Sequence, residues 1–322
     1  MIRRHINRRA AFATFLLTSL VIASHSANVR AADTADGNKK ILFLPGRQSH
    51  GWSGHAYSAD CKLLADILNK NVRGVKAVVV EGGWPKDLGV FDGAAAIVIA
   101  CDGNSLIGSE SNWKALDTIA KKGVGIAFIH YSLDPGTRYG PYLLDWVGGY
   151  YEQHWSVNPS WEAAFKTLPE HPITRGVKPF TIYDEWYYHM RFRKDMAGVT
   201  PILTAVPPDS TRKRPDGAHS GNPTVRARMG LPEHVAWACR RPDGGRGFGC
   251  TGGHTHWVYA HDDFRKLMLN ALCWIARVKV PPAGVPTETP TVEQMEAGLQ
   301  GNRPKNWTAE RTADTIRKMN EK

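Results

Sequence analysis

Five histidines and one pair of carboxylates stand where apolar runs give out, and their spacing is what could do chemistry in this chain. His50 and His55 follow Ile-Leu-Phe-Leu-Pro, and His130 ends Gly-Val-Gly-Ile-Ala-Phe-Ile. His254 and His256 sit one residue apart after a glycine run. Asp102 follows another apolar stretch, and Asp184-Glu185 interrupts the aromatic segment Ile182-Tyr-Asp-Glu-Trp-Tyr-Tyr188. Imidazoles gathered with a carboxylate suit a divalent ion, Zn²⁺ or Mn²⁺, or a general acid–base pair. A histidine at position 130 can be a base or a ligand but makes a poor acyl carrier, and a hydrogen-bonded structural role is equally open to it. Neighbouring residues on a strand point to opposite sides, so one of Asp184 and Glu185 is expected to face inward. There it needs a hydrogen-bonding, ionic or metal partner; the alternative is a rim salt bridge to Arg191 or Arg193. His254 and His256 share a face only in an extended segment, whereas a turn sends one to the crevice and the other to the start of the next helix.

The elements that must position these groups follow from apolar periodicity. Strands are expected at residues 41–44, 75–80, 94–100 and 124–129, with helices at 57–69 and 113–120 between them. This alternation predicts an α/β fold with a doubly wound, mostly parallel sheet, whose ligand crevice lies beyond the carboxyl ends of the strands. His50, His55, Asp102, His130, His254 and His256 all fall there. Beyond residue 150 the pattern loosens: short strands are expected at 180–183, 199–203, 234–239 and 248–251, and a final amphipathic helix at 262–276. Residues 207–232 read as an irregular loop made basic by Arg212, Lys213, Arg214, Arg226 and Arg228. It is either a solvated flexible loop or a lid for an anionic substrate. His154 either joins the site or holds its loop. His171 reads as structural, and His219 and His261 as exposed.

The N-terminus is a leader by its residues. Arg3, Arg4, Arg8, Arg9 and Arg30 occur without an acid, and an apolar run over 10–23 is too short to span a bilayer comfortably, which predicts a signal peptide over residues 1–31. Export to the periplasm or the extracellular space follows, with no stable membrane span after cleavage. Losing those five arginines lowers the formal charge from +11 to +6. That modest surplus, without a basic recognition helix, argues against nucleic-acid binding. Of the five cysteines, Cys61 and Cys273 read as buried thiols in helices, while Cys239 and Cys250 could pair in an oxidising compartment. Residues 39–278 form the expected domain, and 279–322 a proline-bounded linker with a peripheral charged tail.

Over residues 40–277 the order of motifs resembles the ThuA-like family, named for trehalose utilisation and related in fold to class I glutamine amidotransferases. The resemblance rests on His50, the glycine-rich strand ending at His130, Gly148-Gly149 before His154, and His171-Pro-Ile-Thr. Asp184-Glu185 with its tyrosines, Val235-Ala-Trp237, and Gly245-Arg-Gly247 leading to Gly253-His254 complete it. It implies a flavodoxin-like scaffold without amidotransferase chemistry, since His130 holds the nucleophile turn and Cys101 ends a different strand. It also implies a small carbohydrate ligand, including oxidised 3-keto sugars, and in some members a divalent metal. The expected site then has His130, Glu185 and His254 as catalytic groups and Trp52, Trp155, Tyr187 and Asp102 against the substrate. His50, His130, His154, His254 and His256 are its candidate metal ligands. The alternative is a non-catalytic sugar-binding or scaffold protein; an amidase or peptidase is disfavoured because neither Ser nor Cys occupies the turn.

Overall fold

The computed structural model describes residues 38–321, which form one compact unit; the leader expected over 1–31 lies outside the described residues. Four apolar runs form the parallel strands β1 (Lys39–Pro45), β2 (Val75–Val79), β3 (Ala94–Ala100) and β4 (Gly125–Ile129). β1, β3 and β4 are buried on both faces, which is why their sequences run apolar without alternation. Between them lie helices α1 (Tyr57–Asn71) and α2 (Glu110–Ala120), the latter started by the Ser109 side chain accepting from the Asn112 amide. α3 (Gly140–Trp146) follows β4 after a single turn.

Four further small strands come next: β5 (Gly149–Tyr150), β6 (Ser160–Phe165), β7 (Phe180–Glu185) and β8 (Arg191–Phe192), pairing β5 with β8 and β6 with β7. The chain then returns to the main sheet through β9 (Val199–Ala205), β10 (Glu233–Arg240) and β11 (Arg246–Cys250). The seven-stranded order is β2-β1-β3-β4-β11-β10-β9. β11 is parallel to β4, whereas β10 is antiparallel to both of its neighbours, β11 and the edge strand β9. The sheet is therefore mostly parallel and doubly wound, and the carboxyl ends of β1, β3, β4 and β11 share one rim. α6 (Asp262–Ile275) and α1 cover one face around Phe264, Leu267 and Leu64, while α2 and α3 cover the other around Trp113 and Trp146. Each fully buried side chain of this size contributes about 1.5–3 kcal/mol relative to exposure.

Three expectations are corrected. Residues 207–232 are not an irregular solvated loop but carry two short helices, α4 (Asp209–Arg212) and α5 (Pro223–Arg226). Arg212 is fully buried and, with Arg228, donates to the Glu233 carboxylate at 3.0 and 2.8 Å, so these charges are spent on structure. The tail is not peripheral: α7 (Val292–Glu296) buries Met295, and α8 (Ala309–Asn320) buries Ile316. Between these helices Trp307 stacks on Trp257 at 5.1 Å, and Gln300 exchanges two hydrogen bonds with the Gln48 side chain. All five cysteines are free and buried; Cys239 faces Gly247 and Cys250 faces Ala236 across the β10–β11 ladder, which keeps the two sulfurs from pairing. No described helix is long and apolar enough to cross a membrane.

Candidate metal centre

The rim of the sheet brings four donor atoms to one point. His55 Nε2 lies 3.1 Å from His130 Nε2 and 3.1 Å from His254 Nδ1, and the last two are 3.2 Å apart. Glu185 Oε2 closes the group, 3.1 Å from His254 Nδ1 and 3.5 Å from His130 Nε2. The backbone is shaped to aim them. His130 and His55 both adopt left-handed conformations, φ 54° and 45°, which cost on the order of 1 kcal/mol for a residue with a Cβ. The turn after β4 is pinned by the Ser132 hydroxyl, which accepts from the Ile129 amide and donates to the Ile99 carbonyl. The loops carrying His55 and His254 are zipped together by the His55 amide donating to the His254 carbonyl and the His256 amide to that of Ser53. Gly253 needs its φ of +109°, and a Cβ there would crowd Tyr259 and Ile129.

Asp184 and Glu185 divide as strand alternation requires, and neither is a rim salt bridge. Asp184 is buried and its carboxylate accepts from the amides of Gly253, His254 and Thr255 at 2.6, 3.2 and 3.4 Å. Glu185 points to the cluster, where its other oxygen accepts from Asn158. Arg191 pairs instead with Glu152, and Arg193 donates to backbone carbonyls.

The distal nitrogens decide the protonation. His130 Nδ1 lies 2.7 Å from the Thr251 carbonyl, which can only accept, so Nδ1 carries the proton and Nε2 presents a lone pair. His55 Nδ1 donates to Asp102 Oδ1 at 2.7 Å, leaving its Nε2 as a lone pair also. Burial lowers the His55 imidazole to about 4 despite Asp102, keeping it neutral. In that state two lone pairs face each other at 3.1 Å, an arrangement that a bound cation would relieve. A proton bridges only two atoms; a divalent ion takes all four. Three nitrogens 3.1–3.2 Å apart can each lie ~2.0–2.1 Å from one ion, the usual Zn–N length. Imidazoles whose far nitrogens are held by a carboxylate and a carbonyl are the usual supporting arrangement for such ligands. The residues fit a divalent ion. Burial would raise the Glu185 carboxyl, but His130 and His254 outweigh it and hold it well below its ordinary value. The reverse holds at His254, where Glu185 overcomes burial and raises the imidazole.

A cavity of about 230 Å³ opens on this cluster. It is lined by His50, His55, Glu185, Tyr187 and His254 together with Tyr131, Asp134, Tyr151, Asn158 and His219. The Tyr187 hydroxyl lies 3.1 Å from His130 Nε2, and Asp102, just behind, accepts from Tyr57 at 2.6 Å as well as from His55. The structure thus brings together His50, Asp102, His130, Glu185, Tyr187 and His254. It places the other expected site residues elsewhere. The segment after Gly253 turns, so His256 is buried with Nδ1 on Asp60 at 2.6 Å and is not among the clustered donors. His154 is exposed and outside the cavity lining. Trp52 packs on Trp257 and Trp307, and Trp155 stacks between His189 and the Arg191 guanidinium. Of the residues read as exposed, His219 lines the cavity, and His261 is buried as the N-cap of α6. His55 stands in the same loop as His50, with nothing in the sequence to prefer it. Tyr151 carried a usable signal, as the second of two tyrosines that follow Gly148-Gly149.

The mostly parallel sheet with its ligand rim is a doubly wound α/β fold. The chain belongs to the ThuA family, described as trehalose utilisation, whose model matches residues 44–275. Among solved structures it is similar to a putative ThuA-like protein from Bacteroides uniformis, at 14% identity and a TM-score of 0.53, covering 76% of this chain and 94% of that one. A putative ThuA-like protein from Parabacteroides merdae gives 16%, 0.51, 79% and 94%. These likenesses show the fold alone. A search of curated proteins finds no match to the sequence.

Proposed function

We propose that this protein is an exported carbohydrate-active enzyme that acts on an oxidised, 3-keto sugar or glycoside by metal-assisted acid–base chemistry. The observation that carries the reading is the convergence of His55, His130, His254 and Glu185 on one point beside an open cavity, with two imidazole lone pairs committed to it. The family's description supports a sugar as ligand, and the basic then apolar N-terminus supports export. Zn²⁺ or Mn²⁺ would be held by these four residues and, when bound, would polarise an oxygen of the substrate.

The remaining work falls to the chain. A 3-keto group acidifies the proton on C2 and places the C1 substituent β to the carbonyl. Removal of that proton lets its electron pair form the C1–C2 double bond as the C1–O bond breaks, and the departing oxygen takes up a proton. Glu185, held well below its ordinary value and committed to two imidazoles, is a poor base. His50 and His219, which line the cavity and are not among the four clustered donors, are the groups to take the proton from C2 and supply one to the departing oxygen. Tyr187, kept neutral by burial, packs its ring against His130 with centroids 4.6 Å apart. The test is to load the purified protein with Zn²⁺ and incubate it with methyl 3-keto-α-glucoside. Methanol release that is lost on chelation and restored by metal is expected; a metal-replete protein that leaves the glycoside intact sinks the proposal.

A further inference from the structure

The cavity lining beside the metal centre includes residues with polar atoms that the chain leaves unpaired. Tyr151 is buried, yet its hydroxyl has no hydrogen-bond partner within the described chain, and the same holds for Asn158 Oδ1. Both residues line the cavity. A buried unpaired polar atom costs about 1–3 kcal/mol, so two beside one cavity call for a ligand. The ring of Tyr151 is held between His219, stacked at 5.5 Å, and Tyr187, edge-on at 5.3 Å, which fixes where its hydroxyl points. Asn158 cannot turn its amide to relieve the orphan, because its Nδ2 donates to Glu185 Oε1. Beside them the buried Asp134 carboxylate receives only long hydrogen bonds, both 3.3 Å, from Gln153 and the Gly136 amide, and retains accepting capacity.

These atoms have a common chemistry. Asn158 Oδ1 and Asp134 accept, Tyr151 can do either, and none is a fixed cation. A carboxylate or phosphate brought there would meet the Asp134 charge, whereas hydroxyl groups can donate to every one of these atoms. At about 30 Å³ per water, a cavity of 230 Å³ holds roughly eight waters, room for one small polar ring.

Building on the sugar reading above, we propose that Tyr151, Asn158 and Asp134 form a hydroxyl-reading subsite that selects a single neutral polyhydroxylated ring and seats it against the metal centre. The subsite is a binding and specificity element whose Tyr151 ring stacks on His219 and whose Asp134 carboxylate lies 3.7 Å from the His219 Nδ1. It carries an unusual signature: the Tyr151 hydroxyl stabilises the complex and not the free protein.

The experiment measures binding of methyl α-glucoside and of glucuronate by calorimetry to metal-free and Zn²⁺-loaded protein, alongside thermal unfolding. Tyr151→Phe is expected to weaken methyl α-glucoside binding roughly 5- to 10-fold, one hydrogen bond's worth, while leaving the unfolding midpoint unchanged or raised. Asp134→Asn, which keeps the shape, is expected to weaken the neutral glycoside and to improve glucuronate relative to it. Equal affinity in wild type and Tyr151→Phe overturns the proposal, as do a lowered midpoint with unchanged binding, tighter binding of glucuronate to the metal-free wild type, or no binding of the neutral glycoside at all. Tyr151-dependent glycoside binding without metal uptake or turnover would sink the enzymatic reading and leave the subsite standing. A metal-loaded, active protein indifferent to Tyr151→Phe would sink the subsite alone.

Discussion

Asp184→Asn isolates what holds the His254 loop in place. The carboxylate accepts from three consecutive amides at 2.6, 3.2 and 3.4 Å, two of them at good hydrogen-bond length. Hydrogen bonds to a charged group contribute about 1.5–3 kcal/mol each, and part of that is offset because the variant no longer buries a charge. The amide also turns one accepting oxygen into a donor facing donors. A net loss of about 2–3 kcal/mol follows, and for a domain this size each kcal/mol moves the midpoint by ~2–4 °C. Thermal unfolding followed by circular dichroism should fall by roughly 5–10 °C. Because His254 rides on the same loop, Zn²⁺ affinity in a competition assay with a chelating dye should fall with it, by about tenfold or more. A midpoint within 2 °C of wild type together with unchanged Zn²⁺ affinity would refute the idea that Asp184 organises this loop.

Asp102→Asn should weaken Zn²⁺ binding about 10- to 100-fold with the fold intact, since it removes the charge that orients His55; unaltered affinity would remove Asp102 from that role. His256→Ala should destabilise by about 3–5 kcal/mol by leaving Asp60 buried and unpaired, while folded protein keeps its full Zn²⁺ content by elemental analysis. Loss of stoichiometric metal would instead make His256 a ligand. His171 and His189 are each lowered to about 4, chiefly by burial. Their folded pKa lies below the unfolded 6.5, so the folded state binds fewer protons: their contribution is intact above pH 6.5 and is lost as pH falls toward 4. Allowing for the partial exposure of His171, stability should drop by roughly 1–2 kcal/mol per pH unit in that window. A His171→Asn/His189→Asn double variant with an equally steep denaturation profile would contradict this.

The sheet was legible because buried parallel strands must be apolar and end in turns, which also placed Asp102, His130 and His254 on one rim. What escaped depended on backbone conformation. His50 and His55 share a short loop, and only the left-handed turn at His55 sends that ring inward. The pairing of His256 with Asp60 joins residues 196 apart in the chain, and no local pattern announces it. β6 did carry a signal, the alternation Trp161, Ala163, Phe165, but the polar loops around it masked the period. In the basic segment a count of arginines could not show that Arg212 is buried on Glu233. The long proline-rich approach to α7 concealed that Met295, Trp307 and Ile316 form an inward face.

The Gln48–Gln300 clasp and the Trp52–Trp257–Trp307 stack set an order of assembly. The loop that delivers His55 is secured by residues some 252 positions later, and His254 itself arrives 199 residues after His55. A ribosome part-way through this message has made a nearly complete α/β core whose binding centre is still open, and contacts closing so large a loop come late. All four clustered donors have been made once residue 254 is reached, so the last two helices add to the support of the centre and not to its set of residues.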